Sequence, residues 1–232
     1  MVSRVIPAAE LKARFGVFGY FYRLALGGEL LGCRSVLTLV AHEDVPGDPA
    51  DLLEARPDLL VVMMNPGSSR PLVALPERPA ATSAEAIWRG RFLVPTRPDT
   101  TQYQVMRIMA AKGFRHARVL NLSDLREPKS PLLLARLAGL AALPDGALHS
   151  LFGGMREGER RALLGEAGAA PLLLGWGQNR GLEPLARRCL EGVRGWRRVG
   201  VMIGDGPLYA HPSPQLQRLK EAWLGEVLRQ LD

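Results

Sequence analysis

The sequence predicts an α/β fold with a central, mostly parallel sheet and helices on both faces. Short apolar runs that end in polar or glycine-rich segments alternate with stretches of helical periodicity. This alternation is typical of parallel strands joined by helices. The clearest run, residues 59–64, lies between Pro57-Asp58 and Pro66-Gly67 and has no polar face. It therefore predicts a strand buried on both sides.

The remaining elements follow in chain order, and together they predict one domain over residues 1–232. Residues 1–58 are expected to form an N-terminal extension that packs on the core, with an aromatic-rich helix or hairpin and a strand at 35–40. Residues 70–98 hold five prolines and little periodicity, which predicts a long loop. Asp99 predicts the N-cap of a helix that ends at Gly113.

The second half of the chain continues the alternation. Strands are expected at residues 119–122, 171–177 and 199–204, and helices at 132–143, at 155–166 and in a stretch that ends near Leu190. A C-terminal helix is expected to keep one apolar face. That face would consist of Leu216, Leu219, Trp223, Val227, Leu228 and Leu231.

Composition excludes a disordered chain and favours a polyanionic partner. Of the 232 residues 47% are hydrophobic and 23% charged, which is ordinary for a folded protein. Thirty Lys and Arg against 23 Asp and Glu leave a net charge of +7. Such a surplus suits nucleic acid, although an arginine-rich proteome would produce it too. Charge alone leaves these two explanations open, and no obligatory protein partner is evident.

Cofactor and membrane signals are absent from the sequence. Cys33 and Cys189 are far apart and belong to no CxxC motif, so neither a metal site nor an iron–sulfur framework is expected. No phosphate-binding glycine loop is visible, and we expect no cofactor. The apolar runs are shorter than a membrane span, and no signal-peptide core follows the first residues. These observations predict a soluble, cytoplasmic protein with no membrane partner.

Four short motifs follow predicted strands or precede the last helix. They are Asn65-Pro66-Gly67, Leu120-Asn121-Leu122, Gly175-Trp176-Gly177 and His211-Pro212-Ser213-Pro214. In this order, across residues 59–216, the chain resembles the uracil-DNA glycosylase superfamily, in particular its single-strand-selective and mismatch-specific branches. With Asp99-Thr100-Thr101 added, it also resembles an uncharacterised bacterial domain family with an Asn-Pro, Asp-x-x-Thr, Asn-Leu, Trp-Gly, His-Pro pattern.

The first resemblance implies a DNA glycosylase that flips a pyrimidine, expected to be a modified one, out of the DNA and hydrolyses its glycosidic bond. It assigns His211 to the negative charge that develops on the pyrimidine O2. It assigns Asn65 to the attacking water, since an amide positions water without acting as a base. An aspartate at position 65 is expected to speed the reaction if the pocket accepts its charge. The alternative role for Asn65 is an Asx turn before Pro66.

Further residues are implied to form the base pocket. Asn121 would read the O4 and N3 edge of the base, unless it caps the turn after its strand. Met64, Pro66 and Gly67 would line the pocket, and Gly67 would leave room for a substituent at C5. Phe92, with Trp88 as a second candidate, is expected to stack on the flipped base.

DNA contacts are implied for the loop before the last helix. Pro212 and Pro214 stiffen this loop, so that Ser213 and nearby amides can meet a phosphate. Gln215 occupies a position that is a Leu wedge in some branches, where Leu216 could substitute. Arginines at 187, 188, 194, 197 and 198 could follow a DNA backbone or form a solvated face. The rival functions are a catalytically silent nucleic-acid-binding module and a nucleoside or nucleotide hydrolase on the same fold.

Overall fold

The computed structural model describes residues 5–232 and confirms the α/β class. Its elements in chain order are α1 (Ala8–Arg14), β1 (Phe15–Leu26), β2 (Glu29–Ala41), β3 (Leu59–Met63), α2 (Ala84–Arg89), β4 (Val94–Pro95), α3 (Thr100–Lys112), β5 (His116–Asn121), α4 (Ser130–Ala141), α5 (Glu157–Leu164), β6 (Leu172–Gly175), α6 (Glu183–Gly192), β7 (Arg198–Val199) and α7 (Gln217–Gln230). None of the helices within these residues has the length and apolarity needed to span a bilayer.

The seven strands form one sheet in the order β4-β1-β2-β5-β3-β6-β7. β5, β3, β6 and β7 are parallel neighbours, whereas β4, β1, β2 and β5 pair antiparallel. The sheet is therefore mixed, and the expectation of a mostly parallel sheet was wrong. The antiparallel part arises because Gly27 and Gly28, with φ of 60° and 79°, close a two-residue hairpin turn between β1 and β2.

The hairpin also corrects the view of residues 1–58 as an extension that packs on the core. β2 pairs with β5 from Leu37 opposite Val119 to Val40 opposite His116. Residues 15–41 are thus strands of the central sheet. Their aromatic side chains, which suggested a packing face, are mostly buried within it: Phe15, Phe18, Tyr20 and Phe21 are all at most 9% exposed.

β3 lies between β5 and β6 and is buried along its whole length. Leu60 and Val62 belong to one hydrophobic cluster, which also contains buried residues of α4, α5 and α6. Leu59, Val61 and Met63 belong to a second cluster with residues of α3 and α7. This alternation is what a strand with two buried faces requires, and it confirms the prediction for this run.

α3 matches its sequence signals closely. Asp99 caps it by accepting hydrogen bonds from the backbone N–H groups of Thr101 and Gln102, and Gln102 completes a capping box. Gly113 ends it in the left-handed conformation with φ of 70°. Because a side chain is strained there, glycine is the natural terminator.

Three expectations were less accurate. The segment 70–98 contains α2 and β4 and is not a continuous loop. The strand expected at 199–204 is only the two-residue β7, since Gly200 has φ of 144° and leaves strand geometry. On the last helix Trp223 and Val227 are buried, but Leu216 and Leu219 are 51% and 44% exposed, so the apolar face does not extend to the helix start.

Two buried histidines lead to a prediction about pH. Burial lowers the pKa of His116 and of His149 from 6.5 to about 4, so in the folded state both stay neutral where the unfolded chain takes up protons. The free energy of unfolding should therefore fall as pH decreases from 6.5 to about 4. Each histidine accounts for roughly 3 kcal/mol. Burial raises the pKa of Asp124 to about 6. This carboxylate therefore binds a proton more readily in the folded state, and its effect on the free energy of unfolding offsets that of one histidine.

Urea unfolding at a series of pH values measures this effect. His116→Gln should flatten the decline, whereas His42→Gln, which changes an exposed histidine, should leave it as in the parent. An identical decline in both variants would contradict the assignment to buried histidines.

Candidate functional site

A cavity of about 450 Å³ lies at the carboxyl ends of β3, β5 and β6. These three strands are parallel neighbours, so the polar residues that follow them meet at one edge of the sheet. The cavity is lined by six of the residues implicated by sequence, namely Met64, Asn65, Pro66, Gly67, Asn121 and His211. We call it the Asn65 cavity.

The amide of Asn65 is held in one orientation. Its Nδ2 donates two hydrogen bonds, to the carbonyl oxygens of Leu125 and Glu127, both at 2.8 Å. Two carbonyl acceptors can be satisfied only by the NH₂ group, which leaves Oδ1 as an acceptor. The side chain therefore bonds to the segment after β5 and does not form the Asx turn considered as an alternative.

The segment that holds Asn65 is anchored to the sheet and to a buried ion network. Arg126 N–H donates to the carbonyl of Gly32, and Arg34 N–H to that of Asp124. The Asp124 carboxylate accepts a hydrogen bond of 2.5 Å from Arg156 and one of 2.8 Å from the Tyr22 hydroxyl. Both charged side chains are completely buried. The position of Asn65 thus depends on charges deep in the core.

Arg156 is the centre of that network. Its Nε and Nη2 donate to the two carboxylate oxygens of Glu159 at 2.8 and 2.7 Å, and Nη2 also donates to Ser35 Oγ at 2.9 Å. The two carboxylates raise the pKa of the Arg156 guanidinium against the effect of burial. Arg156 therefore remains charged and connects β2, α5 and the segment after β5.

His211 has a defined tautomer and charge. The backbone N–H of Ser213 donates to its Nδ1 at 3.1 Å, which requires an unprotonated Nδ1. Burial lowers the pKa of His211, although the nearby Asp99 carboxylate acts in the other direction. The imidazole is therefore neutral at physiological pH, with its proton on Nε2 as a hydrogen-bond donor.

The loop that carries His211 is fixed from behind. Gln104 of α3 donates from Nε2 to the carbonyl of Pro212 at 3.0 Å. The Pro212 ring packs on Gly175 at the end of β6, where a Cβ atom would come within 3.0 Å of Pro212 Cδ. A side chain at position 175 would require the loop to move away from the sheet by a few tenths of an ångström.

Asn121 has an unusual environment. Its side chain is 1% exposed and lines the Asn65 cavity, yet neither Nδ2 nor Oδ1 has a hydrogen-bond partner among residues 5–232. A buried polar group without a partner costs about 1–3 kcal/mol. An unsatisfied donor and acceptor side by side suit a ligand that presents the complementary pair, and they show no sign of the alternative role as a turn cap.

Two charged residues of the cavity were missed from the sequence. Asp99, expected as a helix cap and matched to the second family pattern but not assigned to the site, uses Oδ1 for the cap and lines the cavity. Arg34 is 1% exposed, lines the cavity, and donates from Nη1 to Ser69 Oγ at 2.9 Å. Burial lowers the pKa of Arg34 to about 10, and Asp99 opposes that shift. Two sequence signals were available. They were the Asp-x-Thr match for Asp99 and, for Arg34, its position directly before a predicted strand.

Gly67 leaves open space at the cavity, as the resemblance to the glycosylase superfamily implies. No heavy atom lies within 4 Å of the position a Cβ would take. Its φ of 57° also favours glycine for the backbone alone. Trp176 is the one aromatic residue besides His211 among the described residues that line the cavity. It is buried and donates from Nε1 to the carbonyl of Pro207.

Phe92, its alternative Trp88 and the four residues that follow His211 do not line the Asn65 cavity. Phe92 lines a second cavity, with its ring beneath Arg78 and against the edge of Tyr20. It is therefore not in place to stack on a base bound near Asn65. The remaining four follow His211: Pro212 is buried, Ser213 and Pro214 are half-buried, and Gln215 is exposed.

The described residues 5–232 contain no group of three or more His, Cys, Asp or Glu side chains arranged to hold a metal ion. Comparisons of the chain with protein-family models, with curated proteins and with solved structures found no match.

Proposed function

We propose that this protein is a DNA glycosylase that hydrolyses the N-glycosidic bond of a modified pyrimidine. One observation carries the proposal. Asn65 and His211 line the same cavity, and each has one polar atom occupied by a fixed hydrogen bond. The opposite atoms, an acceptor on Asn65 and a donor on His211, are those that a water molecule and a pyrimidine carbonyl need.

The proposed reaction uses these atoms as follows. A water oxygen adds to C1′ of the deoxyribose while the C1′–N1 bond breaks and its electron pair leaves with the base. Asn65 Oδ1 accepts a hydrogen bond from the water and aligns it. His211 Nε2–H donates to the pyrimidine O2, where negative charge develops, and such a donor typically contributes about a hundredfold or more in rate. Solvent then protonates the departing base.

Asp99 supplies the negative charge that the other residues of the proposed site lack. It is the one carboxylate among the described residues lining the cavity. A carboxylate at this edge would stabilise the cationic sugar in the transition state and take up the proton that the water releases. An amide at position 65 cannot accept that proton.

The proposed substrate follows from the rest of the cavity. The unpartnered amide of Asn121 would pair with the O4 and N3 edge of the base. The open space at Gly67 would accept a substituent at C5. Flipping such a base out of DNA costs a few kcal/mol, which contacts to the strand must supply.

The finer features of the fold and of DNA binding belong to the same proposal. We infer a uracil-DNA glycosylase-like arrangement with helices on both faces of the sheet, and a cytoplasmic enzyme of base-excision repair or of defence against modified foreign DNA. Ser213, Pro214 and Gln215 would contact the DNA backbone beside His211. Leu216, 51% exposed, would serve as the wedge.

Asp99 also favours a second candidate, a hydrolase of free nucleosides or nucleotides. A carboxylate can accept hydrogen bonds from both hydroxyl groups of a ribose, which DNA does not offer. In that case the cavity would act on a monomer, and the exposed Leu216 would have no role in the reaction.

A panel of substrates tests the proposal. Single- and double-stranded oligonucleotides, each with one modified pyrimidine, are incubated with the protein and then assayed for abasic sites. Free nucleosides with the same bases form a parallel arm. Abasic sites in the oligonucleotides support the proposal, turnover of nucleosides alone supports the second candidate, and binding of DNA without any turnover supports a catalytically silent module.

A further inference from the structure

A second cavity, of about 960 Å³, is connected to the Asn65 cavity through Ser69, which contacts one arginine from the lining of each. Arg34 of the Asn65 cavity donates to Ser69 Oγ, and Arg126 of the second cavity donates from Nε to the Ser69 carbonyl at 2.8 Å. One residue thus contacts an arginine from each side.

The second cavity is strongly basic. Arg23, Arg78, Arg89 and Arg126 line it together with a single carboxylate, that of Glu77. Arg89 forms an ion pair with Glu85. The other three donate instead to backbone carbonyls, Arg23 to residue 78, Arg78 to Gly90 and Arg126 to Ser69. Within residues 5–232 none of these three forms an ion pair, so their positive charges are not compensated.

Aromatic rings lie beside the guanidinium groups of Arg78 and Arg126. Tyr20 stacks on Tyr22 with ring centroids 5.5 Å apart, and Phe92 meets Tyr20 edge-on at 5.8 Å. The guanidinium of Arg78 lies 4.3 Å from the centroid of Phe92, and that of Arg126 lies 5.2 Å from Phe21. Arginines beside aromatic rings recur where proteins bind single-stranded nucleic acid, because phosphates meet the charges and bases stack on the planar groups.

We propose that the second cavity binds a phosphate and the adjoining base of a single-stranded DNA segment, next to the nucleotide held in the Asn65 cavity. The choice of DNA rests on the proposed function. Ser69 contacts an arginine of each cavity, so we assign the two cavities to neighbouring parts of one strand. Uncompensated guanidinium groups suit phosphate, and a planar guanidinium such as that of Arg78 beside Phe92 can stack on a base, whereas an acidic peptide offers carboxylates but no planar bases.

Salt dependence of DNA binding tests this proposal. The probe is a short fluorescent oligodeoxyadenylate, which contains no pyrimidine, and its anisotropy reports binding at several salt concentrations. The double variant R23Q/R78Q should bind more weakly, and the slope of log K against log salt should become shallower by about 0.7, the change expected when one phosphate contact on a single strand is lost. The control R56Q/R161Q removes two exposed arginines from surface ion pairs and should keep the parent slope.

Each outcome decides the matter. Equal slopes in R23Q/R78Q, in the control and in the parent would overturn the proposal, as would a polyglutamate peptide that competes as well as unlabelled oligodeoxyadenylate. Urea unfolding of both double variants excludes a general loss of structure. Because the probe is not cleaved, the result is independent of catalysis. A shallower slope without base excision on any substrate would retain this site and remove only the proposed reaction.

Discussion

His211→Ala is expected to reduce single-turnover base excision by about a hundredfold or more while DNA affinity stays as in the parent. The variant loses the Nε2–H donor that would meet the pyrimidine O2, and it removes no phosphate contact. The fixed hydrogen bond from Ser213 to Nδ1 makes this donor available without protonation of the ring. Excision rates on the best substrate and anisotropy on an uncleaved analogue measure the two properties separately.

Two companions sharpen that test. Gln217→Ala changes an exposed residue six positions away, whose side chain bonds to Glu221, and should leave the excision rate nearly unchanged. Asn65→Asp should slow the reaction, contrary to the expectation from sequence, because a carboxylate cannot donate to the Leu125 and Glu127 carbonyls that now receive the amide. A His211→Ala enzyme with the parent rate would remove His211 from the mechanism.

Arg156→Ala is expected to lower the free energy of unfolding by about 3–5 kcal/mol, the usual loss when one partner of a buried ion pair is removed. Asp124 and Glu159 would be left as buried carboxylates without their common partner. Urea unfolding at neutral pH gives the value. Excision should fall as well, because Asp124 belongs to the segment that orients Asn65.

Matched variants make this prediction decisive. Arg161→Ala removes an exposed ion pair with Glu157 on the same helix and should cost at most about 1 kcal/mol. Arg156→Lys keeps the charge but not the forked set of donors, and should lie between the two. Equal effects of Arg156→Ala and Arg161→Ala would contradict a central role for the buried network.

Local signals predicted much of the framework. The apolar run at 59–64 became β3 and placed Asn65 at the end of a central strand. Asp99 and Gly113 marked the ends of α3 because capping is decided by a few adjacent residues. These inferences succeeded because burial on two faces and helix capping are both determined by side chains that are close together in the sequence.

Long-range pairing was beyond such signals. Nothing local indicates that β2 pairs with β5, which lies more than seventy residues later, so the hairpin was mistaken for an extension. For the same reason Arg34, on β2, could not be assigned to a cavity built after β3 and β5. Phe92 had the right chemistry for stacking but lies in the second cavity, because α2 and β4 redirect the segment expected to be a loop.

The most direct test of the proposed reaction traces the oxygen atom of the attacking water into the products. A single-stranded oligonucleotide with one 5-substituted uracil is incubated with the protein in H₂¹⁸O, and mass spectrometry measures the free base and the remaining strand. Hydrolysis at C1′ predicts one released pyrimidine for each abasic strand, with ¹⁸O in the sugar and none in the base. Strands that keep every base, or release of a nucleoside or nucleotide in place of the free base, would contradict the account.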